Sequence, residues 1–439
     1  MYIESLSVNQ FRCFEHAELK FQYPGRRHGS KRAPRLANVN LLLGDNGTGK
    51  SAVLTAVALA VLAEIIQSTG FRPYFLVRRA GADYDPDDPP QGINAEARAS
   101  LRLHMEDTFP TPTHWEENGN GNRSLSVIGQ AIIKRRRTLE TVESAAHVNP
   151  AAWEGLFVED APAFFLAGYG ATRRVENAET FDTSVRDRTR AMRYQRVAGL
   201  FEEYVGLTPV NVWLSALRTA GHLEEGIALL NRLLPEDVQV NRRTLSYKEP
   251  RFLVRGTLLP FAALSDGYRA FIGWVGDLLF QLNRVIPAAQ KLTDLHGVVM
   301  VDELDLLLHP AWQRTVIDAL ALAFPRLQFF FTSHSPIIAG TLEAANIYVT
   351  EQNPQTGAIT IQPGRENVHG LSADQILTSP YFDLTTPRAP DAVDQMNDLA
   401  RSAWEGDPTA SQEFLRRLTE GFEPVPMPNA DRPRRAREE

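Results

Sequence analysis

Cysteine is nearly absent from these 439 residues, and Cys13 is the only one. A lone cysteine excludes an internal disulfide and a zinc site built from cysteines, and it fits a reducing compartment. The N-terminus lacks the basic and then apolar layout of a secretory signal peptide. The longest apolar run, 52–66, contains Glu64 and is short for a membrane span. We therefore expect a buried helix there, and a cytoplasmic protein with no membrane partner.

An excess of positive charge is also missing, because the formal net charge is −7 at pH 7. No global electrostatic field would therefore draw nucleic acid to this protein. Basic residues do form local clusters, and each cluster is either a solvated face or a stripe that contacts DNA. The clusters are Arg26, Arg27, Lys31 and Arg32; Lys134–Arg137; and Arg186, Arg188, Arg190 and Arg193. Nucleic acid therefore stays open as a partner.

The spacing of apolar residues predicts an α/β protein. From about residue 261 onward, short apolar strands alternate with helices, which is the order of a mostly parallel core sheet. A short strand is also expected at 163–167. Alternation over 97–104 and 124–133 predicts a second, antiparallel β layer. Residues from about 187 to 234 have helical spacing without a sustained heptad repeat, so we expect an inserted helical lobe.

The strongest local signal is the stretch Gly44–Ser51, GDNGTGKS, which matches G-x-x-x-x-G-K-[ST]. A strand precedes it and a helix follows, as phosphate binding by such a loop requires. Backbone N–H groups wrap around the phosphates, Lys50 reaches the β- and γ-phosphates of ATP, and the Ser51 hydroxyl ligates Mg²⁺. The helix N-terminus adds positive potential. The predicted ATP-binding residues of the loop are Gly44, Asn46, Gly47, Thr48, Gly49, Lys50 and Ser51.

Two carboxylates and a histidine follow later strands. The apolar strand 298–301 ends in Asp302 and Glu303. Asp302 would hold Mg²⁺ and Glu303 would polarise the attacking water. His334 follows the next apolar strand, 327–331, which is where a sensor of the γ-phosphate is needed; a structural histidine is the alternative. The predicted catalytic residues are Glu303, His334 and Lys50, and the predicted metal ligands are Ser51 and Asp302.

A fourth motif, Leu264–Arg269 (LSDGYR), precedes a helix with an apolar face. Ser265 is a natural N-cap residue, and Gly267 allows close approach of a partner. A helix N-terminus with a serine and a glycine can bind an anion. The alternative is an ordinary capped helix. We count Ser265 and Gly267 among the predicted ATP-binding residues.

In this order the four motifs resemble an ABC-type ATPase of the SMC/RecF/OLD kind (AAA_21-type). The resemblance implies a P-loop ATPase fold with an ASCE core sheet, ATP and Mg²⁺ as cofactors, and hydrolysis of ATP. It implies that Leu264–Gly267 is the signature motif and closes on the ATP of a second copy, so that a homodimer holds two ATP molecules. It also assigns a D-loop to Leu304–Leu306 and the switch histidine to His334. The stretch Asn9–Phe14 resembles the N-terminal strand of these proteins.

One element of that family is not found in the sequence. Many members carry a Q-loop glutamine between the P-loop and the helical lobe. The turn Gly168–Arg174 occupies about the right place but contains no glutamine. Either Gln130 serves, or the turn acts differently, and no Q-loop residue is assigned.

A narrower resemblance is to stand-alone ATPases of bacterial anti-phage systems of the Septu and retron-associated kinds. It is carried by Asp302–Gln313, which looks like their DE-x-x-LHP-x-WQ stretch, and by Phe165–Arg173 and Gly370–Pro380. It implies a slow, nucleotide-gated regulator or scaffold with a separate effector, often an HNH-type nuclease. Only about 105 residues follow His334, so we expect no nuclease domain in this chain.

Two other functions stay open. One is a RecF/SMC-like ATPase of DNA repair, and the other is the ATPase subunit of a transporter, which the signature Leu-Ser-Asp-Gly-Tyr disfavours.

We divide the chain into four parts. They are an ATPase lobe with the P-loop and the antiparallel layer (1–165), a helical insert (166–260), the part with the signature helix, the two carboxylates and His334 (261–345), and a C-terminal hairpin with a partner-binding segment (346–439).

Overall fold

The computed structural model describes residues 1–29, 32–69, 71–79, 93–104, 116–117, 123–137, 139–145, 153–154, 156, 164–176, 181, 191–203, 205–240, 250–287, 289–353, 357–382 and 384–419. The chain divides into two compact units, Met1–Asp383 and Leu384–Glu439. The first unit contains every motif named above. The described part of the second unit, residues 384–419, contains two helices.

The strands are β1 (Tyr2–Phe11), β2 (Phe14–Lys20), β3 (Val39–Gly44), β4 (Asn94–His104), β5 (Glu116–Glu117), β6 (Arg123–Arg136), β7 (Leu139–Ser144), β8 (Leu166–Tyr169), β9 (Val238–Gln239), β10 (Arg251–Val254), β11 (Thr257–Pro260), β12 (Gly297–Val301), β13 (Leu327–Thr332), β14 (Ile347–Gln352) and β15 (Ile359–Pro363). The helices are α1 (Lys50–Ser68), α2 (Met192–Gln195), α3 (Val210–Ala220), α4 (Leu223–Leu233), α5 (Asp266–Asn283), α6 (Pro310–Gln313), α7 (Val316–Ala323), α8 (Pro336–Ala339), α9 (Ala373–Leu377), α10 (Pro390–Trp404) and α11 (Pro408–Thr419).

The core sheet has the order β15-β14-β3-β13-β12-β8, and all neighbours are parallel except β14 and β15. Every residue of β12 and of β13 is buried. Continuous apolar runs form such strands because a parallel sheet is covered on both faces. Parallel strands end at the same edge of a sheet. The loops after β3, β12 and β13 therefore meet there, although they are far apart in the sequence.

Helix α1 lies between the core sheet and the second sheet. The second sheet is antiparallel, with the order β2-β1-β4-β6-β5 and with β7 paired to β6. Alternate residues of β4 are buried, as expected for a sheet with one covered face. The helix is apolar on all sides because it meets protein on all sides. By length and composition alone α1 is long and apolar enough to cross a membrane, but it is mostly buried inside this fold.

The helical lobe lies between β8 and β12 in the sequence. Helices α3 and α4 pack on each other and on α5, with Trp213 and Leu217 buried at the contact. A small antiparallel sheet of β9, β10 and β11 follows. The predicted α/β fold class is confirmed, with its mostly parallel core, antiparallel layer and helical lobe.

One local prediction differs from the structure, and another is met with an additional pairing. The strand expected at 163–167 is displaced along the chain, to Leu166–Tyr169. The hairpin expected near the C-terminal end does form between β14 and β15, but β14 also pairs with β3. The hairpin is therefore the edge of the core sheet. Sequence alone does not reveal this pairing, because the partner strand lies about 300 residues away.

Two partly buried histidines make the stability of this fold depend on pH. His104 ends β4, His296 precedes β12, and their rings stack with centroids 4.4 Å apart. Burial, with the nearby N-terminal ammonium, lowers the pKa of His104 to about 2 and that of His296 to about 4, from 6.5. Below pH 6.5 the unfolded chain therefore binds more protons than the folded chain. We expect the free energy of unfolding to fall as the pH drops from 6.5 to 4.

Urea unfolding at a series of pH values measures this loss. His296→Gln should flatten the dependence, because one of the two rings no longer titrates. The exposed His16 offers a matched control, and His16→Gln should leave the dependence as it is in the wild type. An unchanged slope in His296→Gln would contradict the prediction.

Candidate nucleotide-binding site

The glycine-rich loop joins the end of β3 to the start of α1. Gly49 has φ 92° and precedes the helix, and a Cβ there would lie 2.4 Å from Cys13 Sγ. Only glycine fits such a backbone and such a contact. Lys50 Nζ donates to the carbonyl oxygens of Gly44 at 2.9 Å and Asp45 at 2.7 Å. The loop thus curls around the ammonium group of Lys50. Burial lowers the pKa of this lysine.

Asp302 connects this loop to two neighbouring strands. Its Oδ1 accepts from Ser51 Oγ at 3.0 Å and from Thr332 Oγ1 at 2.6 Å. Thr332 ends β13, and its hydroxyl oxygen also accepts from the Glu303 N–H at 2.7 Å. A hydroxyl and a carboxylate in contact supply the oxygen ligands that Mg²⁺ prefers. The donor set therefore fits a magnesium ion held by Ser51 and Asp302.

His334 stands beside these groups at the end of β13. Burial, assisted by the positive charge of Lys50, lowers the pKa of His334 from 6.5, so its ring is neutral at pH 7. The next residue, Ser335, caps α8 by accepting from the Ile338 N–H. The Ser335 hydroxyl also donates to Gln313 Oε1 at 2.7 Å. These bonds fix the backbone on which the histidine sits.

A cavity of about 290 Å³ joins the three loops. The residues lining it are Arg12, Cys13, Asn46, Gly47, Gly49, Lys50, Ser51, Ala52, Asp302, Glu303 and His334. Eight of these lining residues were predicted to bind ATP, to bind the metal or to act in catalysis: Asn46, Gly47, Gly49, Lys50, Ser51, Asp302, Glu303 and His334. A cavity with a lysine, a helix N-terminus and an oxygen pair suits a triphosphate with Mg²⁺.

Two residues of the predicted loop set do not line this cavity. Gly44 has φ 142°, and a Cβ there would lie 2.2 Å from Thr350 Oγ1. The Thr48 hydroxyl donates to the Asp45 carbonyl oxygen and contacts Thr350 Oγ1 at 2.6 Å. Both residues therefore shape the loop against β14, and their neighbours Gly47 and Gly49 face the cavity.

Sequence reasoning missed Arg12 as a residue of the site. It belongs to the turn between β1 and β2, has φ 50°, and lines the cavity. Burial lowers its pKa, while the charge of Asp302 acts in the opposite direction. The stretch Asn9–Phe14 carried the signal, because an arginine in a turn that faces a phosphate loop adds positive charge there.

Neither residue of the signature motif lines the cavity of its own chain. Ser265 is exposed at the N-cap position of α5, and its side chain makes no capping hydrogen bond. A Cβ on Gly267 would lie 2.4 Å from the Leu307 carbonyl oxygen. The glycine is thus needed for packing within the chain. Ser265 occupies the predicted N-cap position, but its hydroxyl does not cap the helix and can contact another group.

The structure also places the residues considered for the Q-loop. Gln130 lies in β6, where its Nε2 donates to Glu96 Oε1 at 2.5 Å, and it does not line the cavity. The turn Gly168–Arg174 instead approaches Asp302 and Glu303 through Arg173. The sequence offered no signal for that contact beyond the position of the turn.

The basic clusters are only partly described. Lys134 pairs with Glu143, Nζ to Oε2 2.5 Å, and Arg193 donates to the Leu156 carbonyl oxygen. These two residues have partners within the fold. Four members of the clusters lie outside the described residues: Lys31, Arg186, Arg188 and Arg190.

Two family models match parts of the chain. The model described as "AAA domain, putative AbiEii toxin, Type IV TA system" matches residues 238–339, and the model described as "AAA domain" matches residues 5–84. The first match contains the signature, both carboxylates and His334. The second contains the glycine-rich loop.

Several curated proteins are similar to this chain. The Septu protein PtuA of Bacillus mycoides (strain KBAB4) is 23% identical over 400 residues, which are 91% of this chain and 46% of that protein. The retron Ec83 probable ATPase of Escherichia coli is 35% identical over 86 residues, 20% of this chain and 16% of that protein. The retron Vc95 probable ATPase of Vibrio cholerae is 32% identical over 97 residues, 22% of this chain and 19% of that protein. The chain thus spans less than half the length of these relatives.

Among solved structures, the SMC head domain from Thermotoga maritima aligns with a TM-score of 0.45 at 15% identity, over 83% of this chain and 100% of that one. The predicted resemblance to ABC-type ATPases and to the ATPases of anti-phage systems is confirmed by the family models and the curated relatives.

Proposed function

We propose that this chain binds ATP with Mg²⁺ in the cavity and hydrolyses it slowly to ADP and phosphate. The observation that carries the proposal is the 3.0 Å contact between Ser51 Oγ and Asp302 Oδ1, with Lys50, Glu303 and His334 lining the same cavity. Mg²⁺, when bound, neutralises charge on the β- and γ-phosphates.

The protein groups divide the chemical work. Lys50 and the backbone N–H groups of the loop bind the phosphates. The Glu303 carboxylate orients the attacking water and accepts its proton. His334, neutral at pH 7, donates an N–H to the γ-phosphate and so senses its presence. Positioning and charge stabilisation account for most of the catalysis in reactions of this kind.

We further propose that a second copy completes the site. The exposed Ser265 and the N-terminus of α5 would contact the γ-phosphate held by that copy, as the resemblance implies for the signature motif. The free hydroxyl of Ser265 supports this, because it makes no capping bond within its own helix. Each homodimer would then hold two nucleotides between its subunits, related by a two-fold axis.

Mixing two inactive variants tests the shared site. Lys50→Ala removes the phosphate ligand of one surface, and Ser265→Glu places a negative charge on the other. We expect each alone to lose ATP hydrolysis, and an equal mixture to recover about one quarter of the wild-type rate. Half of the random dimers are mixed, and each of these has one complete site. Phosphate release measures the rate.

The double variant Lys50→Ala/Ser265→Glu is the matched control, because it cannot complete a site with either single variant. Ser265 is preferable to Gly267 for this purpose, since any side chain at Gly267 meets the Leu307 carbonyl oxygen. A mixture that is no more active than the separate variants would contradict the proposal of a shared site. Each chain would then hydrolyse ATP without a second copy.

We propose that the biological role of this chain is that of a cytoplasmic, nucleotide-gated regulator or scaffold of an anti-phage defence complex. A separate HNH-type nuclease would be the effector of that complex. The similarity to a Septu protein and to two retron ATPases supports this role. Co-expression with the product of each neighbouring gene, followed by purification with and without ATP, tests it. Purification of the chain without any such product would count against the role.

A further inference from the structure

Arg173 is a buried cation that binds backbone oxygen atoms. Arg173 lies in the turn after β8, and it is only 8% exposed. Nη1 donates to the carbonyl oxygens of Gly170, at 3.1 Å, and of Asp302, and Nη2 donates to that of Glu303 at 2.9 Å. Desolvation lowers the pKa of Arg173, and the charges of Asp302 and Glu303 oppose the shift. Burial of a charge is costly unless it is well bonded.

The backbone that Arg173 binds has an unusual conformation. Glu303 has φ 48°, in the left-handed region that a residue with a side chain adopts rarely and at a cost. The surrounding structure holds it there from two sides. Its N–H donates to Thr332 Oγ1 at 2.7 Å, and its carbonyl oxygen accepts from Arg173. The next N–H, of Leu304, donates to the Thr332 carbonyl oxygen at 2.9 Å.

Arg173 does not line the cavity, whereas Glu303 does. A residue that fixes the φ of Glu303 thereby fixes the direction of its Cα–Cβ bond. We propose that Arg173 is a positioning residue for ATP hydrolysis, which holds the Glu303 carboxylate in the cavity by clamping the backbone at Asp302 and Glu303. This inference rests on the function proposed above for Glu303.

A guanidinium suits this task better than an ammonium. Its planar fork places two donors on two successive carbonyl oxygens, whereas lysine offers a point charge on a flexible stem. Lysine at position 173 should keep the buried charge and one of the contacts. Methionine has similar bulk but no donor, so it should leave the carbonyl oxygens of Asp302 and Glu303 without this partner.

The test compares Arg173→Lys and Arg173→Met with the wild type, and Arg174→Met serves as the matched control. Arg174 is the adjacent arginine, but its side chain is exposed. We expect kcat to fall about 100-fold in Arg173→Met and about 10-fold in Arg173→Lys, which correspond to about 2.7 and 1.4 kcal/mol. The Kd for MgATP should stay within about twofold of the wild-type value in both. Arg174→Met should match the wild type.

The split between kcat and Kd separates positioning from loss of structure. A kcat of Arg173→Met within about threefold of the wild type would overturn the inference, as would equal losses of kcat and affinity without rescue by lysine. If a thermal melt shows that Arg173→Met is unfolded, Arg173→Lys decides: a lower kcat at unchanged Kd supports the clamp, and full activity refutes it. A wild type without ATP hydrolysis would instead defeat the proposed function, before any variant is compared.

Discussion

Lys50→Ala is expected to abolish ATP binding, with a rise in Kd of at least about 100-fold, or about 2.7 kcal/mol. The ammonium of Lys50 lies over the cavity, held by two carbonyl oxygens of its own loop. Burial disfavours its charged form, and Asp302 and Glu303 favour it. A bound triphosphate would add more negative charge at this point and so gain a strong, partly desolvated ion pair.

Alanine removes that pair and also the two bonds that shape the loop. Isothermal titration with ATP and Mg²⁺ measures the affinity, and circular dichroism checks that the variant is folded. Lys20→Ala is a suitable control, because Lys20 is an exposed lysine on β2 that does not line the cavity. Binding by Lys50→Ala within about threefold of the wild type would show that the cavity is not the nucleotide site.

The parts of the site that follow local rules were predictable from the sequence. The loop Gly44–Ser51 carries its own chemistry, because glycine spacing, the lysine and the following helix are all adjacent in the chain. Asp302, Glu303 and His334 could be placed near it because parallel strands end at one edge of a sheet. The fold class followed from the same alternation of apolar strands and helices.

Contacts between distant segments were not predictable in this way. Arg173 reaches Asp302 across 129 positions, and Thr332 reaches it across 30. An arginine in a turn and a threonine at a strand end have no spacing that marks such partners. The contact of Gly267 with Leu307 has the same origin. There, a glycine expected to admit a second copy is also required by packing within one chain.

Glu303→Gln is expected to keep ATP binding but to lower kcat by at least about 100-fold, because an amide cannot accept the proton of the attacking water. The substitution preserves the shape of the side chain. The bonds that hold the Glu303 backbone are made by its N–H and carbonyl oxygen, so they survive the exchange. The variant therefore tests the carboxylate and leaves its position unchanged.

If two copies close on ATP, a chain that binds but does not hydrolyse ATP accumulates in the closed state. Size-exclusion chromatography of Glu303→Gln with saturating ATP and Mg²⁺ should therefore show a dimer, which ADP does not produce. The exposed carboxylate of Glu351, on β14, provides the control Glu351→Gln, which should hydrolyse ATP as the wild type does. In this proposal, hydrolysis is the step that releases the second copy, and Glu303→Gln blocks hydrolysis. A Glu303→Gln protein that binds ATP and stays monomeric would therefore rule out a dimer with ATP between its subunits.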